Sequence, residues 1–260
     1  MVSRDIDILP GSFSSSVIMM RAGLFRDEFA RFMIKGRKLV SKDTAVLRVG
    51  FPMLPNSWGE DFVPVSNFPT SFCVMVGRDS EIFAFKPYTP IDVNNDHMDL
   101  LVKGYPGGRV SSDLFGLKEG ESVLIRGPRD KLEIDRILAN KKRLIAFAGG
   151  TGIAPIYQVI KHIGNTGVDE IVLFYANKTV EDILLKEELE ALTSKLPAFK
   201  IINVIESERG YIKRSDIADL HVKEDDFVLV CGPKGFNEAL LGREAEGILS
   251  KYKSNQIYKF

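Results

Sequence analysis

The sequence has little of what builds extracellular, metal-held or membrane-spanning scaffolds. It carries two cysteines, Cys73 and Cys231, far apart in 260 residues. That leaves no disulfide framework and no zinc spacing, and it fits a reducing compartment. Three histidines, His97, His162 and His221, stand alone with no second ligand at metal spacing, so no metal is expected. No apolar run approaches a membrane span. The early run Val17-Ile18-Met19-Met20 is too short for an anchor, and Asp5 and Asp7 spoil a secretion signal. A cytoplasmic location is expected, with any membrane association made through a partner. Net charge is also lacking: 35 Lys+Arg balance 35 Asp+Glu, so bulk charge points to neither nucleic acid nor an acidic partner. There is no internal repeat, no low-complexity segment, and no Ser/His/Asp or paired-carboxylate constellation for general acid–base work.

What is present is a soluble-protein composition, 45% hydrophobic and 27% charged, long enough for one large core or two ordinary ones. Residues 1–28 read as a variable extension. Residues 29–135 are strand-like and rich in turns. Thr44–Val49 alternates and stops at Gly50-Phe51-Pro52. Ser71–Val76 runs to Gly77-Arg78-Asp79 and continues as Glu81–Phe85, a hairpin pattern. Met98–Lys103 alternates again, and Ser122–Arg126 stops at Gly127-Pro128. Short strands with Gly/Pro breaks predict a small antiparallel barrel. One helix is expected near Ser111-Ser112-Asp113-Leu114-Phe115, with the hydroxyls as caps.

After a polar connector at Glu133–Lys142 the rhythm changes to alternating strand and helix. Strands are expected at Leu144–Phe147, Glu170–Tyr175, Lys200–Ile205, Asp226–Cys231 and Gln256–Phe260. Helices are expected at Ala154–Ile163, Thr179–Leu192, Arg214–Leu220 and from Gly232-Pro233 to about Leu249. Continuous apolar strands between helices predict a parallel sheet covered on both faces over residues 142–260. Such sheets bind ligands at the carboxyl ends of their strands. Three ends stand out: Gly149-Gly150-Thr151-Gly152, Glu206-Ser207-Glu208, and Cys231-Gly232-Pro233-Lys234-Gly235. The first reads as an anion cradle at a helix start or as a tight turn without a ligand. It is neither G-x-G-x-x-G nor a P-loop.

In the first half, Lys86-Pro87-Tyr88-Thr89-Pro90 fixes an extended path. Further on, Tyr105-Pro106-Gly107-Gly108-Arg109-Val110-Ser111-Ser112 joins a glycine pair, a cation and a hydroxylated helix start, which suits a diphosphate. Taken together with AGGTGIAP, the run Ala176–Leu185 (ANKTVEDILL) and CGPKGF, in this order and spacing, the chain resembles NADH–cytochrome b5 reductase of the ferredoxin–NADP reductase superfamily. The resemblance covers about Phe29 to Phe260. KPYTP is similar to the family's R-P-Y-T-P, GGRVS to G-G-K-M-S, and CGPKGF to C-G-P-P-x-M.

The resemblance implies an α/β two-domain enzyme: a six-stranded antiparallel β-barrel for FAD, then a Rossmann-like parallel α/β domain for NADH. It implies that Lys86 faces the FAD diphosphate, with Pro87 shaping the strand. Tyr88 and Thr89 would lie along the flavin and its ribityl chain, Thr89 near the hydride-accepting nitrogen. Leu101, Lys103 and Tyr105 would line the flavin, Lys103 also reaching the nicotinamide nucleotide. Gly108, Arg109, Val110 and Ser111 would bind the diphosphate. Gly149, Gly150, Thr151, Gly232 and Pro233 would hold NADH, with Cys231 close to the nicotinamide or simply a small buried residue at a strand end. By the resemblance, Thr89 and Cys231 would be the residues nearest the reacting atoms. Glu206 either falls where an acid would meet the adenosine ribose, accepting from a 2′-OH and repelling a 2′-phosphate, or is a solvated loop acid. Phe260 either packs beside the flavin or finishes the sheet. The implied acceptor is cytochrome b5 or a similar haem protein, and the enzyme is expected as a monomer. Alternatives are a reductase component of another electron-transfer chain, nitrate-reductase-like, and a flavin- or nucleotide-binding module without turnover.

The chain departs from the family pattern in places. Lys86 replaces an arginine, keeping the charge and losing the bidentate fork. Asp130 stands where the loop after the last barrel strand carries a glycine. Ala154 replaces a threonine.

Overall fold

The structure, a computed structural model, describes residues 20–55, 61–77, 84–163, 168–242 and 247–260. The opening residues 1–19, the hairpin residues Arg78-Asp79 and Glu81-Ile82-Phe83, and part of the last expected helix at 243–246 lie outside the described residues; that helix ends at Leu241, and 247–249 form a bend and turn instead. The chain divides into two compact units, Met1–Lys131 and Leu132–Phe260.

The first unit is almost all antiparallel strand: β1 Met20–Phe25, β2 Ala30–Ser41, β3 Thr44–Gly50, β4 Met53–Pro55, β5 Phe62–Pro64, β6 Phe72–Gly77, β7 Phe85–Tyr88, β8 Pro90–Val93, β9 His97–Lys103 and β10 Ser122–Asp130, with one helix, α1 Arg109–Gly116. The short sheet has the order β4-β1-β5 and the large one β7-β6-β10-β2-β3-β9-β8. The large sheet's two edge strands, β7 and β8, are separated in sequence by Thr89 alone. Consecutive Cα atoms sit about 3.8 Å apart, so both edges meet at Thr89 and the sheet must curl round on itself. No ladder joins β7 to β8 among the described residues, so strand pairing does not close the expected barrel. The sheet has seven strands where six are expected, because Thr89 interrupts the Phe85–Val93 segment and its two halves pair with different neighbours. Pro87 and Pro90, each without an N–H, sit on these edge strands, where a missing donor is tolerated.

Alternation sets the core. Ala30, Phe32 and Ile34 of β2 are buried while Arg31, Met33 and Lys35 are exposed. Phe32, Leu47, Val74, Met98, Leu100, Leu114 and Ile125 fill the interior. Two expectations need correction here. Strand β1 buries Ala22, Leu24 and Phe25 in the same core, so the packed unit begins before Phe29 rather than after an extension of 28 residues. Helix α1 begins at Arg109 and no side chain caps it. Ser112 lies inside it and turns its hydroxyl back to the Tyr105 carbonyl at 2.6 Å.

The second unit opens with α2 Ile134–Leu138, which buries Ile134 and Leu138. The segment read as a polar connector is therefore a helix with an apolar side. Then follow β11 Arg143–Gly149, α3 Ile153–His162, β12 Glu170–Asn177, α4 Lys186–Lys195, β13 Phe199–Ile205, α5 Glu206–Arg209, β14 Asp226–Cys231, α6 Lys234–Leu241 and β15 Ile257–Lys259. All pairings are parallel, in the order β13-β12-β11-β14-β15. The chain moves from β11 to one side, through β12 and β13, and returns to the other side at β14. The β11/β14 seam is thus the point where strand order reverses, the place where open α/β sheets bind ligands. Strand β11 is buried along its whole length, and Phe147 stacks on Phe174 of β12 at 4.9 Å.

The expected helix Thr179–Leu192 is broken. A 3-10 turn covers Val180–Asp182, and α4 starts only at Lys186 after Leu185, which adopts φ 56°. Leu184 and Leu185 are buried. Burying two adjacent leucines on one side of the sheet redirects the backbone more strongly than helix propensity holds it.

Candidate functional site

In the first unit the expected residues gather around the place where the sheet edges meet. Lys86 and Tyr88 pair in register with Val76 and Val74 of β6. Lys86 is exposed and Tyr88 and Thr89 are half-buried. Burial pushes the Tyr88 phenol up to about 12, with a smaller push from Tyr105; the two phenols are electrostatic neighbours. Leu101 is buried on β9 and Tyr105 is exposed beyond its end. Lys103 places its ammonium 3.1 Å from Asp43 Oδ1. Burial would raise the Asp43 carboxyl, but Lys103 and the hydroxyls of Ser41 and Thr44 outweigh it and hold the carboxyl below its ordinary range. Lys103 is thereby engaged within its own unit, and any reach toward a nicotinamide nucleotide competes with Asp43.

The Tyr105–Ser112 turn is shaped for close approach. Gly107 holds φ +74° with open space where a Cβ would be, and at Gly108 a Cβ would lie 2.4 Å from Ser111 Oγ. Gly108 N–H donates to Tyr105 C=O at 2.9 Å. Helix α1 then starts with exposed Arg109, buried Val110 and half-buried Ser111. An eight-residue helix whose start lacks a side-chain cap presents its dipole end to an anion. A phenol pair, two exposed cations and this helix start form a donor set that fits a flavin carrying a diphosphate.

In the second unit all three strand ends lie at the carboxyl edge of the sheet. Gly150 adopts φ +53° and a Cβ there would meet nothing, whereas a Cβ on Gly152 would sit 2.1 Å from the Cys231 carbonyl oxygen. The two glycine turns are thus pressed backbone to backbone across the β11/β14 seam. Gly149 and Gly232 both face Phe236 of α6. Thr151, Cys231 and Gly232 are half-buried and Pro233 is exposed. Pro155 falls in the first turn of α3, where its missing N–H costs little. Glu206 opens the short α5 at the end of β13, two strands from β11, or about 10 Å by ordinary strand spacing. The exposed Tyr211 donates its hydroxyl to Glu206 Oε1 at 2.9 Å, and that bond raises the Tyr211 phenol. Glycine turns at a strand reversal, with a carboxylate two strands away, fit a dinucleotide whose ribose lies toward Glu206. Phe260 donates its N–H to Val230 C=O at 3.1 Å and its ring meets Tyr258.

Sequence reasoning missed Asp43, Tyr175, Tyr211, Phe236 and Asn237. Asp43, Tyr175 and Phe236 act through Lys103, Gly150 and Gly149, far away in sequence, while Tyr211 and Asn237 reach Glu206 and Gly232 five residues back through side-chain directions that the sequence does not display. Among the described residues no group of three or more His, Cys, Asp or Glu is placed to hold a metal ion. No helix among them is long and apolar enough to cross a membrane.

A curled antiparallel sheet followed by a parallel sheet with paired glycine turns is the architecture of an oxidoreductase using FAD and a nicotinamide dinucleotide, as the family models show. The family models agree unit by unit: residues 31–134 match the oxidoreductase FAD-binding domain and residues 146–241 the oxidoreductase NAD-binding domain. Among curated relatives, NADH-cytochrome b5 reductase 2 of Mycosarcoma maydis is 32% identical, covering 91% of this chain and 74% of its own. NADH-cytochrome b5 reductase 1 of Dictyostelium discoideum is 32% identical, covering 83% and 77%. NADH-cytochrome b5 reductase 2 of Kluyveromyces lactis is 36% identical, covering 75% and 74%. The cytochrome b5 reductase domain of Ulva prolifera nitrate reductase shares the fold, with a TM-score of 0.73 at 24% identity over 91% of this chain and 98% of that one. The chain belongs to the NADH–cytochrome b5 reductase family.

Proposed function

We propose that this chain takes a hydride from NADH onto FAD and delivers electrons singly to cytochrome b5 or a similar haem protein. The observation that carries the reading is the pairing of a FAD-binding unit with an NAD-binding unit, in a chain matched over 91% of its length by a relative named for this activity. Bound FAD would supply the exchange of one two-electron event for two one-electron events.

The chain's own residues then have separate tasks. Gly107, Gly108, Val110, Ser111 and the start of α1 would hold the diphosphate, with Lys86 and Arg109 supplying charge. Pro87, Tyr88, Thr89, Leu101 and Tyr105 would line the ring system and its ribityl chain, with Thr89 fixed as the single residue joining the two sheet edges. Lys103, paired with Asp43, keeps a positive charge at the end of β9. Gly149, Gly150, Thr151, Gly232 and Pro233 would take the NADH diphosphate, and Cys231 would flank the nicotinamide. Glu206, oriented by Tyr211, would accept from the ribose 2′-OH. No side chain needs to remove a proton, because a hydride leaves with its electron pair.

The test is anaerobic stopped-flow. NADH should bleach the flavin absorbance of the purified protein within seconds, and cytochrome b5 should reoxidise it faster than unrelated haem proteins do. A flavin that NADH leaves yellow would make the chain a binding module without turnover. Equal reoxidation by every haem protein would remove cytochrome b5 as the preferred acceptor.

A further inference from the structure

The glycine turns of the second unit raise a question of polarity. A turn carries N–H groups that attract a phosphate and C=O groups that repel it, and glycine lets either point outward. Two buried side chains fix the direction. Tyr175, fully buried on β12, donates its hydroxyl to the Gly150 carbonyl at 3.3 Å and accepts the Leu184 N–H at 3.2 Å. The same carbonyl accepts the Ile153 N–H from the start of α3. Across the seam, Asn237 of α6 donates Nδ2 to the Gly232 carbonyl at 2.8 Å.

We propose that Tyr175 and Asn237 are positioning residues for the dinucleotide: by drawing the Gly150 and Gly232 carbonyls into the protein, they leave the turns offering N–H to the diphosphate. The inference rests on the reading of these turns as the NADH site.

Two further observations support it. The Asn237 Oδ1 is buried without a hydrogen-bond partner. An apolar side chain would avoid that penalty, so the favourable contribution of this amide lies in its Nδ2 contact. On the other side, Leu185 adopts φ 56° immediately after Leu184, a conformation leucine rarely takes. That bend accompanies the presentation of the Leu184 N–H to the Tyr175 hydroxyl. Burial of the Tyr175 phenol also pushes its pKa well above the ordinary range, so it remains a donor throughout the working pH. Neither residue touches the reacting atoms in this scheme.

The test compares Tyr175→Phe and Asn237→Leu in the flavin-loaded protein, assayed with a one-electron dye as acceptor. Losing one hydrogen bond should raise KM for NADH and the inhibition constant of ADP-ribose by about three- to tenfold. Turnover at saturating NADH should stay within about twofold, flavin content should not change, and inhibition by adenosine, which has no phosphate, should be unaffected. Unchanged KM and ADP-ribose inhibition would overturn the proposal. So would equal weakening of adenosine and ADP-ribose, which would mean general loosening of the unit. If Asn237→Leu does not fold, Tyr175→Phe, which removes a single oxygen, decides the matter. Thr151→Trp, which crowds the turn itself, separates the two levels of argument. If it leaves ADP-ribose binding intact, the turns are not the nucleotide site and the functional reading fails. If it abolishes binding while the other two variants change nothing, only the positioning role fails.

Discussion

Lys86 shows how much one side chain can alter within an intact motif. It is exposed at the edge of the curled sheet and stands where the family carries arginine. A lysine gives the diphosphate a point charge, and an arginine gives it a planar fork. Lys86→Arg should tighten FAD by about three- to tenfold, the range of one added charge-assisted hydrogen bond. Fluorescence titration of the flavin-free protein would show it, and an unchanged affinity would sink the idea. Tyr88 makes a different prediction. Its phenol is raised to about 12 by burial, whereas an unfolded tyrosine titrates near about 10. The folded state keeps the proton longer, so this contribution to stability is complete below pH 10 and is lost as pH rises from about 10 to about 12. Denaturant midpoints measured across that window should fall less steeply in Tyr88→Phe. Both residues were legible in the sequence because they lie in one contiguous motif. Tyr175 and Asn237 were not, since a tyrosine in an apolar strand and an asparagine on a helix acquire roles only through the turns they reach in three dimensions.

Elements are held where side chains leave no alternative. Gly152→Ala would force a Cβ to within 2.1 Å of the Cys231 carbonyl, a backbone atom that has no rotamer with which to yield. The expected cost is about 2–4 kcal/mol, read as a lower melting temperature of the second unit together with weakened ADP-ribose binding. Gly150→Ala has open space and pays only for its left-handed φ, about 1–2 kcal/mol. The two variants therefore separate crowding from strain in neighbouring residues. At the opposite end of the same seam, Arg143 bonds Asp226 through two contacts of 2.8 Å, with Asp226 fully buried. These residues are register partners of β11 and β14. Removing Asp226 leaves the buried guanidinium only the His221 carbonyl and the Glu170 carboxylate at 4.0 Å, so Asp226→Ala should cost about 3 kcal/mol in chemical unfolding. Strand identity was readable along most of the chain, because the buried parallel strands are continuous apolar runs and β2 alternates. The breaks were not: helical spacing continues through Ile183-Leu184-Leu185, and only tertiary burial of the two leucines shows why the helix waits until Lys186.

At the scale of the molecule, the proposed assignment divides the ligands between the two units. Lys103 and Phe260 aside, the residues proposed for FAD lie before Leu132 and those proposed for NADH after it, so a substitution in one set should leave the other ligand unaffected. Nucleotide choice is the sharpest test. Glu206 is exposed and accepts from Tyr211 at 2.9 Å, which leaves its second oxygen for a ribose hydroxyl. A carboxylate there repels a 2′-phosphate, and about 8 Å of screening at physiological salt weakens but does not remove that repulsion at contact distance. The unmodified chain should therefore prefer NADH to NADPH. Glu206→Gln keeps a partner for Tyr211 and removes the charge, and its ratio of kcat/KM for NADH over NADPH should drop by about tenfold, the effect of roughly 1.4 kcal/mol. Flavin content and affinity should stay as they were. Equal efficiency with both nucleotides in the unmodified chain would remove Glu206 from the site. A fall in flavin content in Glu206→Gln would show instead that the two units do not hold their ligands independently.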